Sequence, residues 1–199
     1  DLKLTLLPDS RTAIPIMAND NFTPDQIESL GLGFTNENNQ TTKSMLSIKA
    51  DANEKYAGTG ERFANIDLSG KTFILENTDA LGNNSRRAYK NVPFFLSSNN
   101  FGLFINTSAH TRMSLAHIST RAAQAMLEDD TLDLFFIADK NPERILYHYR
   151  CLTGFPPALP KWTYGTWMSR MTYFSADETI EIADKLRDED LPCDVIHID

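Results

Sequence analysis

Three prolines fall within six residues at Phe155-Pro156-Pro157-Ala158-Leu159-Pro160. Such a segment cannot continue a helix or lie in a central strand, because each proline fixes φ and removes a backbone donor. It is a stiff connector, and the sequence obeys different rules on its two sides. Before it come short apolar runs separated by turn residues. After it comes a strand, a helix and a strand. The division predicted is residues 1–140 as a β-sandwich domain, 141–161 as a helix and connector, and 162–199 as the start of a second domain.

The β pattern strengthens from Met45. Met45 to Ile48, Phe73 to Leu75, Val92 to Leu96, Phe101 to Ile105, Met113 to Leu115 and Leu132 to Ile137 read as strands. Many short strands at this spacing predict an all-β sandwich. Asn99-Asn100 reads as a tight hairpin turn between two of them. Leu2, Leu4 and Leu6 alternate as in a strand, and another short strand is expected near Leu30 to Phe34. Arg121 to Asp130 is ambiguous. Its Ala and Met favour helix, while its place between strands favours an extended segment.

Asn141 followed by Pro142 is a helix start, Ile145, Leu146, Tyr149 and Leu152 repeat at helical spacing, and Gly154 ends the pattern. Beyond the connector, Trp162 to Ser169 reads as a strand. Ser175 with Glu178 forms a capping box that opens a second helix, and Cys193 to Ile198 reads as a buried strand. Strand, helix and strand make a βαβ unit, which cannot cover its own apolar faces.

Charge and composition narrow the function. Nineteen basic against 27 acidic residues give a net charge of −8, the wrong sign for nucleic acid. No apolar run reaches the roughly 18 residues of a membrane span. The four histidines show no i, i+4 pairing and no neighbouring cysteine pair, so no metal site is expected. Gly58-Thr59-Gly60 begins like a dinucleotide loop, but Phe63 occupies the third glycine position and no helix pattern follows. No cofactor is therefore expected.

Two carboxylates stand out. Asp79 lies in a polar loop, Glu76 to Arg87, between Phe73-Ile74-Leu75 and the aromatic run Val92 to Leu96. Read one way, the unit is a β-hairpin with a long solvated connection. Read the other, the loop carries Asp79 toward a polar ligand. Asp199 ends the second strand of the βαβ unit, where α/β barrels place their chemistry, although an aspartate there also serves as a turn or helix cap. Trp167, Arg170 and Thr172 are expected to leave the first strand at its C-terminal end and so share that face. Aromatic rings beside carboxylates suit a sugar, which offers apolar ring faces and hydroxyl edges.

In combination these residues resemble glycoside hydrolase family 31, the α-glucosidase and α-xylosidase family. The resemblance rests on Gly58-Thr59-Gly60-Glu61-Arg62-Phe63, Asn77-Thr78-Asp79, Tyr89-Lys90-Asn91-Val92-Pro93-Phe94-Phe95, Phe101-Gly102-Leu103-Phe104, Leu152-Thr153-Gly154 with Pro157-Ala158-Leu159-Pro160, Gly165-Thr166-Trp167 and Asp194-Val195-Ile196-His197-Ile198-Asp199. Residues 1–45 carry none of its motifs. It implies a galactose-mutarotase-like β-sandwich followed by the first βαβ unit of a (β/α)8 barrel. It implies a retaining exo-glycosidase acting on terminal α-linked sugars of oligosaccharides. It places Asp79 on a sandwich loop at the barrel mouth and Asp199 at the end of the second barrel strand, with Trp167 and Thr172 also near substrate. The family's nucleophile and acid/base lie on later strands, so these 199 residues are expected to supply substrate-binding groups and no catalytic residue, with the remainder of the barrel as their partner. Where xylosidase-like members have an aromatic residue after the first barrel strand, an ungapped match gives Thr172 here, which leaves the choice between glucose and xylose open. The rival reading is a stand-alone carbohydrate-binding or interaction module built on the sandwich. The connector and the βαβ stretch count against it.

Overall fold

A computed structural model describes residues 2–5, 31–38, 40–79 and 88–198, in two compact units, Asp1–Gly154 and Phe155–Asp199. Among the described residues, the first unit holds ten strands: β1 (Leu2–Thr5), β2 (Gly31–Glu37), β3 (Gln40–Lys49), β4 (Tyr56–Gly60), β5 (Lys71–Leu75), β6 (Asn91–Ser97), β7 (Phe101–Ile105), β8 (Thr111–Leu115), β9 (Ala122–Leu127) and β10 (Asp133–Ala138). They form two five-stranded sheets, ordered β1-β10-β7-β6-β4 and β2-β3-β9-β8-β5. Every neighbouring pair is antiparallel.

The core lies between the sheets because alternate residues of facing strands point inward. Tyr56, Phe95, Leu103, Ile105 and Leu134 come from the first sheet, and Leu46, Ile48, Met113, Leu115 and Leu127 from the second. Each large side chain so buried contributes roughly 1.5–3 kcal/mol. The ambiguous stretch after Arg121 is strand β9. Ala123, Ala125 and Leu127 face the core while Gln124 and Met126 are half-buried on the other side. Tertiary burial here overrides the helix preference of alanine. The hairpin at Asn99-Asn100 is present, with Asn100 at φ 63° and Ser97 paired to Phe101.

The hairpin that one of the two readings puts across the Asp79 loop is not formed. Strand β5 pairs with β8 in the second sheet, whereas β6 pairs with β4 and β7 in the first. The loop crosses from one sheet to the other. The reason is burial: Phe73 and Leu75 of β5 and Phe95 of β6 enter the same core, and they do so from opposite sheets.

Helix α1 (Pro142–Thr153) starts where Asn141 Oδ1 accepts the Glu143 N–H at 2.8 Å, with proline in the first turn, and ends at Gly154, φ 103°. It covers the outer face of the first sheet. Ile145 is fully buried against Phe94 and Ile137, and the Tyr149 ring stacks on Phe94 at 4.3 Å. The adjacent Phe94 and Phe95 are thus buried on opposite faces of β6, as expected of a strand sandwiched on both sides. Gly102 makes the helix contact possible. A Cβ there would lie 2.7 Å from the Phe94 ring and 2.9 Å from Ile145 Cγ2. Gly102→Ala should cost about 1–3 kcal/mol by overpacking. Thermal denaturation checks it, and an unchanged melting temperature would mean that α1 packs more loosely on β7 than the contacts imply.

The second unit has a short 3-10 helix (Lys161–Tyr164), strand β11 (Trp167–Ser169), helix α2 (Ala176–Asp188) and strand β12 (Val195–His197). Strands β11 and β12 pair in parallel, Trp167 opposite Val195 and Ser169 opposite His197, which completes the βαβ unit. The strand expected from Trp162 is shorter than its apolar run. The Pro160 carbonyl accepts both the Thr163 N–H (3.1 Å) and the Thr163 hydroxyl (2.7 Å), which turns the chain into the 3-10 helix first. At α2 the Ser175 hydroxyl accepts the Glu178 N–H at 3.1 Å, and Glu178 Oε2 accepts the Phe174 N–H at 2.8 Å. The helix buries none of its residues.

Candidate substrate-binding site

The loop that carries Asp79 is held at its stem by a clasp that begins in β4. Gly58, Thr59 and Gly60 all have positive φ, at 123°, 64° and 92°. Pairing with β6 slips there, so the three residues form a β-bulge. Only glycine fits at position 60, because a Cβ would lie 2.2 Å from the Lys90 carbonyl oxygen. The bulge turns the chain so that Arg62, half-buried, points back across it. Arg62 Nε donates to the Thr59 hydroxyl (3.0 Å) and carbonyl (3.3 Å), and its Nη2 donates to Asn91 Oδ1. The guanidinium lies 4.6 Å from the centre of the Phe73 ring. Burial lowers its pKa from the ordinary value, and arginine stays charged there regardless.

Asn91 passes the restraint to the loop. Its side-chain amide donates to the Glu76 carbonyl (2.8 Å), Asn77 Oδ1 (2.9 Å) and the Ala88 carbonyl (3.1 Å). Its backbone N–H also reaches Asn77 Oδ1, at 2.8 Å. Above this, the Thr78 N–H donates to the Ala88 carbonyl at 3.2 Å. The chain entering the loop and the chain leaving it are therefore tied together on both sides of Asn77. Asp79 comes next on one arm and Tyr89 stands on the other. Both are exposed, and the Tyr89 hydroxyl donates to Asp79 Oδ1. A cleft of about 400 Å³ opens beside the stem, walled by Glu76, Asn77, Asn91, Pro93 and His110. The His110 ring lies 3.7 Å from Glu76 and 3.8 Å from Glu128. The stem thus offers an exposed carboxylate, the Asn77 amide nitrogen and an imidazole, groups that bind hydroxyls.

The charged pair that the sequence sets beside the bulge splits up. Arg62 turns inward to the clasp, while Glu61 stays exposed and faces Lys90 at 3.7 Å. Sequence reasoning did not assign the clasp or Tyr89. Arg62 and Asn91 are 29 positions apart and no spacing rule links them.

In the second unit, Asp194 shapes the start of β11. Its Oδ2 accepts the Thr166 N–H at 2.8 Å and lies where a Cβ on Gly165 would fall, 2.1 Å away. Trp167 opens β11 rather than leaving it at the C-terminal end, because the strand begins only after that turn. Its indole N–H donates to the Thr163 carbonyl at 3.1 Å, and 53% of the residue is exposed. Thr172 is exposed beyond the C-terminal end of β11, where Arg170 faces Glu178 at 3.4 Å. Asp199 lies outside the described residues.

Comparison with known proteins agrees with this architecture. Residues 11–113 match the model for the glycosyl hydrolase 31 N-terminal galactose mutarotase-like domain, and residues 156–199 match that for the glycosyl hydrolases family 31 TIM-barrel domain. The first match reaches well into residues 1–45, where no motif was visible. The chain is 34% identical over 182 residues to an α-xylosidase of Emericella nidulans, covering 90% of this chain and 23% of that protein. It is 32% identical over 159 residues to the α-xylosidase XylQ of Lactiplantibacillus pentosus, covering 79% and 20%. The chain therefore spans about a fifth to a quarter of the length of these relatives. The fold superposes on the Flavobacterium johnsoniae GH31 dextranase FjDex31A complexed with isomaltotriose at a TM-score of 0.75 and 28% identity, over 83% of this chain and 20% of that one. A mostly β, galactose-mutarotase-like domain followed by the start of a barrel domain, carrying these matches, places the chain in glycoside hydrolase family 31.

Proposed function

We propose that this chain is the substrate-gripping front of a retaining exo-acting α-glycosidase, an α-xylosidase or α-glucosidase that cleaves terminal α-linked sugars from oligosaccharides. The observation that carries the reading is the exposed Asp79 on a clasped loop stem, which no apolar core requires. Family membership supplies the class of reaction. The α-xylosidase relatives and the dextranase complexed with isomaltotriose support α-linked sugars as substrates.

In this reading Asp79 and Asp199 accept hydrogen bonds from sugar hydroxyls, Thr172 adds a hydroxyl, and Trp167 offers an exposed apolar ring. The two catalytic carboxylates, about 5 Å apart in a retaining enzyme, belong to barrel strands beyond these 199 residues. Those strands also cover the apolar side chains that the second unit exposes, such as Phe174, Ile180 and Ile198. The test uses the whole protein that carries this chain, with aryl α-xyloside and aryl α-glucoside as substrates and NMR to follow the anomer first released. Release of the α-sugar is expected. The 199-residue chain alone should release nothing above buffer. Release of the β-anomer, or turnover by the chain alone that a mutation within it abolishes, would overturn the reading.

A further inference from the structure

One oxygen of Asp79 is already engaged, and by a neutral donor. The Tyr89 hydroxyl bonds to Oδ1 across the loop stem. Tyr89 is 57% exposed and Asp79 is exposed too, so burial fixes neither side chain. The backbone beneath them is fixed, by the Thr78 to Ala88 hydrogen bond and by the Asn77–Asn91–Arg62 clasp. On so firm a base, what remains free is the side-chain torsion of Asp79. A donor on Oδ1 selects one rotamer. A phenol does so without cancelling the carboxylate's charge, as a lysine or arginine in its place would. The ionised carboxylate remains an acceptor on its second oxygen.

We propose that Tyr89 is a positioning residue for substrate binding: its hydroxyl holds Asp79 Oδ1 so that Oδ2 is presented to a sugar hydroxyl. This rests on the reading of Asp79 as a substrate contact. Tyr89→Phe keeps the ring and removes the hydroxyl that donates to Asp79.

The experiment is a double-mutant cycle in the whole protein, comparing Tyr89→Phe, Asp79→Ala and the double variant by kcat/KM on an aryl α-glycoside and by Tm. Tyr89→Phe should lower kcat/KM about threefold to tenfold, as expected for one hydrogen bond to a charged group that acts indirectly, and leave Tm unchanged. In the Asp79→Ala background the same substitution should have no further effect. Equal losses in both backgrounds would overturn the proposal, because Tyr89 would then act independently of Asp79. A lowered Tm in Tyr89→Phe would overturn it as well, by making the role structural. Full activity in Tyr89→Phe beside a damaged Asp79→Ala would overturn it while leaving the Asp79 reading intact. Full activity in Asp79→Ala would remove both.

Discussion

Gly60→Ala should lower the melting temperature of the sandwich unit by about 6–12 °C, the equivalent of about 3 kcal/mol in a domain of this size. Two costs combine. Gly60 has φ 92°, a region closed to residues with a Cβ unless strain is accepted. The added Cβ would also stand 2.2 Å from the Lys90 carbonyl oxygen and 2.9 Å from Asn91 Cα. Both atoms are backbone, so neither can swing aside as a side chain would. Relief requires β4 and β6 to separate at the residue that anchors the clasp. Gly70→Ala is the control. Gly70 also has positive φ, 71°, but nothing lies within 4 Å of a Cβ there. It should carry the strain alone, about 1 kcal/mol, and lose about a third as many degrees. Equal losses at both positions would show that the close approach at Gly60 contributes nothing.

Much of the architecture can be read locally. The β-strands betray themselves by alternation, as in Leu46 and Ile48 against Met45 and Ser47. The first helix is written in Asn141, Pro142 and Gly154, and the second in Ser175 and Glu178, because caps act through neighbours two or three residues away. What fails is whatever depends on distant partners. The ends of the Asp79 loop look like the arms of a hairpin, and nothing near them in sequence says that β5 pairs with β8 while β6 pairs with β4. Likewise Trp162 to Ser169 is apolar throughout, and only the acceptor at Pro160 and the Asp194 carboxylate under Gly165 decide where strand begins. The candidate site divides in the same way. Asp79 is visible because it sits in polar turn chemistry that no core needs. The Arg62–Asn91–Asn77 clasp is invisible because it joins three segments that are far apart in the sequence.

Asp79→Ala, in the whole protein, should lower kcat/KM by about tenfold to a hundredfold, the range for losing a hydrogen bond from substrate to a charged group, and leave Tm unchanged. The rival role for an aspartate in such a sequence is turn formation, with the carboxylate bonded to its own backbone. Asp67 shows what that looks like in this fold. Its Oδ1 accepts the Ser69 N–H (2.9 Å) and hydroxyl (2.6 Å), and Oδ2 meets Lys55 Nζ at 2.9 Å. The Ser69 hydroxyl, then Lys55 and the Ser69 amide, hold that carboxyl well below the usual carboxylate range. Asp67→Ala should therefore lower Tm and spare kinetics. Its pKa is depressed on folding, so the stabilisation is complete above the unfolded carboxylate pKa of about 3.9 and is lost as pH falls through the folded value. The Tm gap between Asp67→Ala and the unmutated protein should close over that acidic range. Among the described residues Asp79 makes none of these backbone bonds; its partner is the Tyr89 side chain on the opposite arm of the loop. The two substitutions, measured for Tm and kcat/KM under the same conditions, should give opposite signatures. If Asp79→Ala instead behaves like Asp67→Ala, losing stability while the enzyme that remains folded keeps its kcat/KM, then Asp79 is a turn residue and the site must be sought elsewhere on the loop.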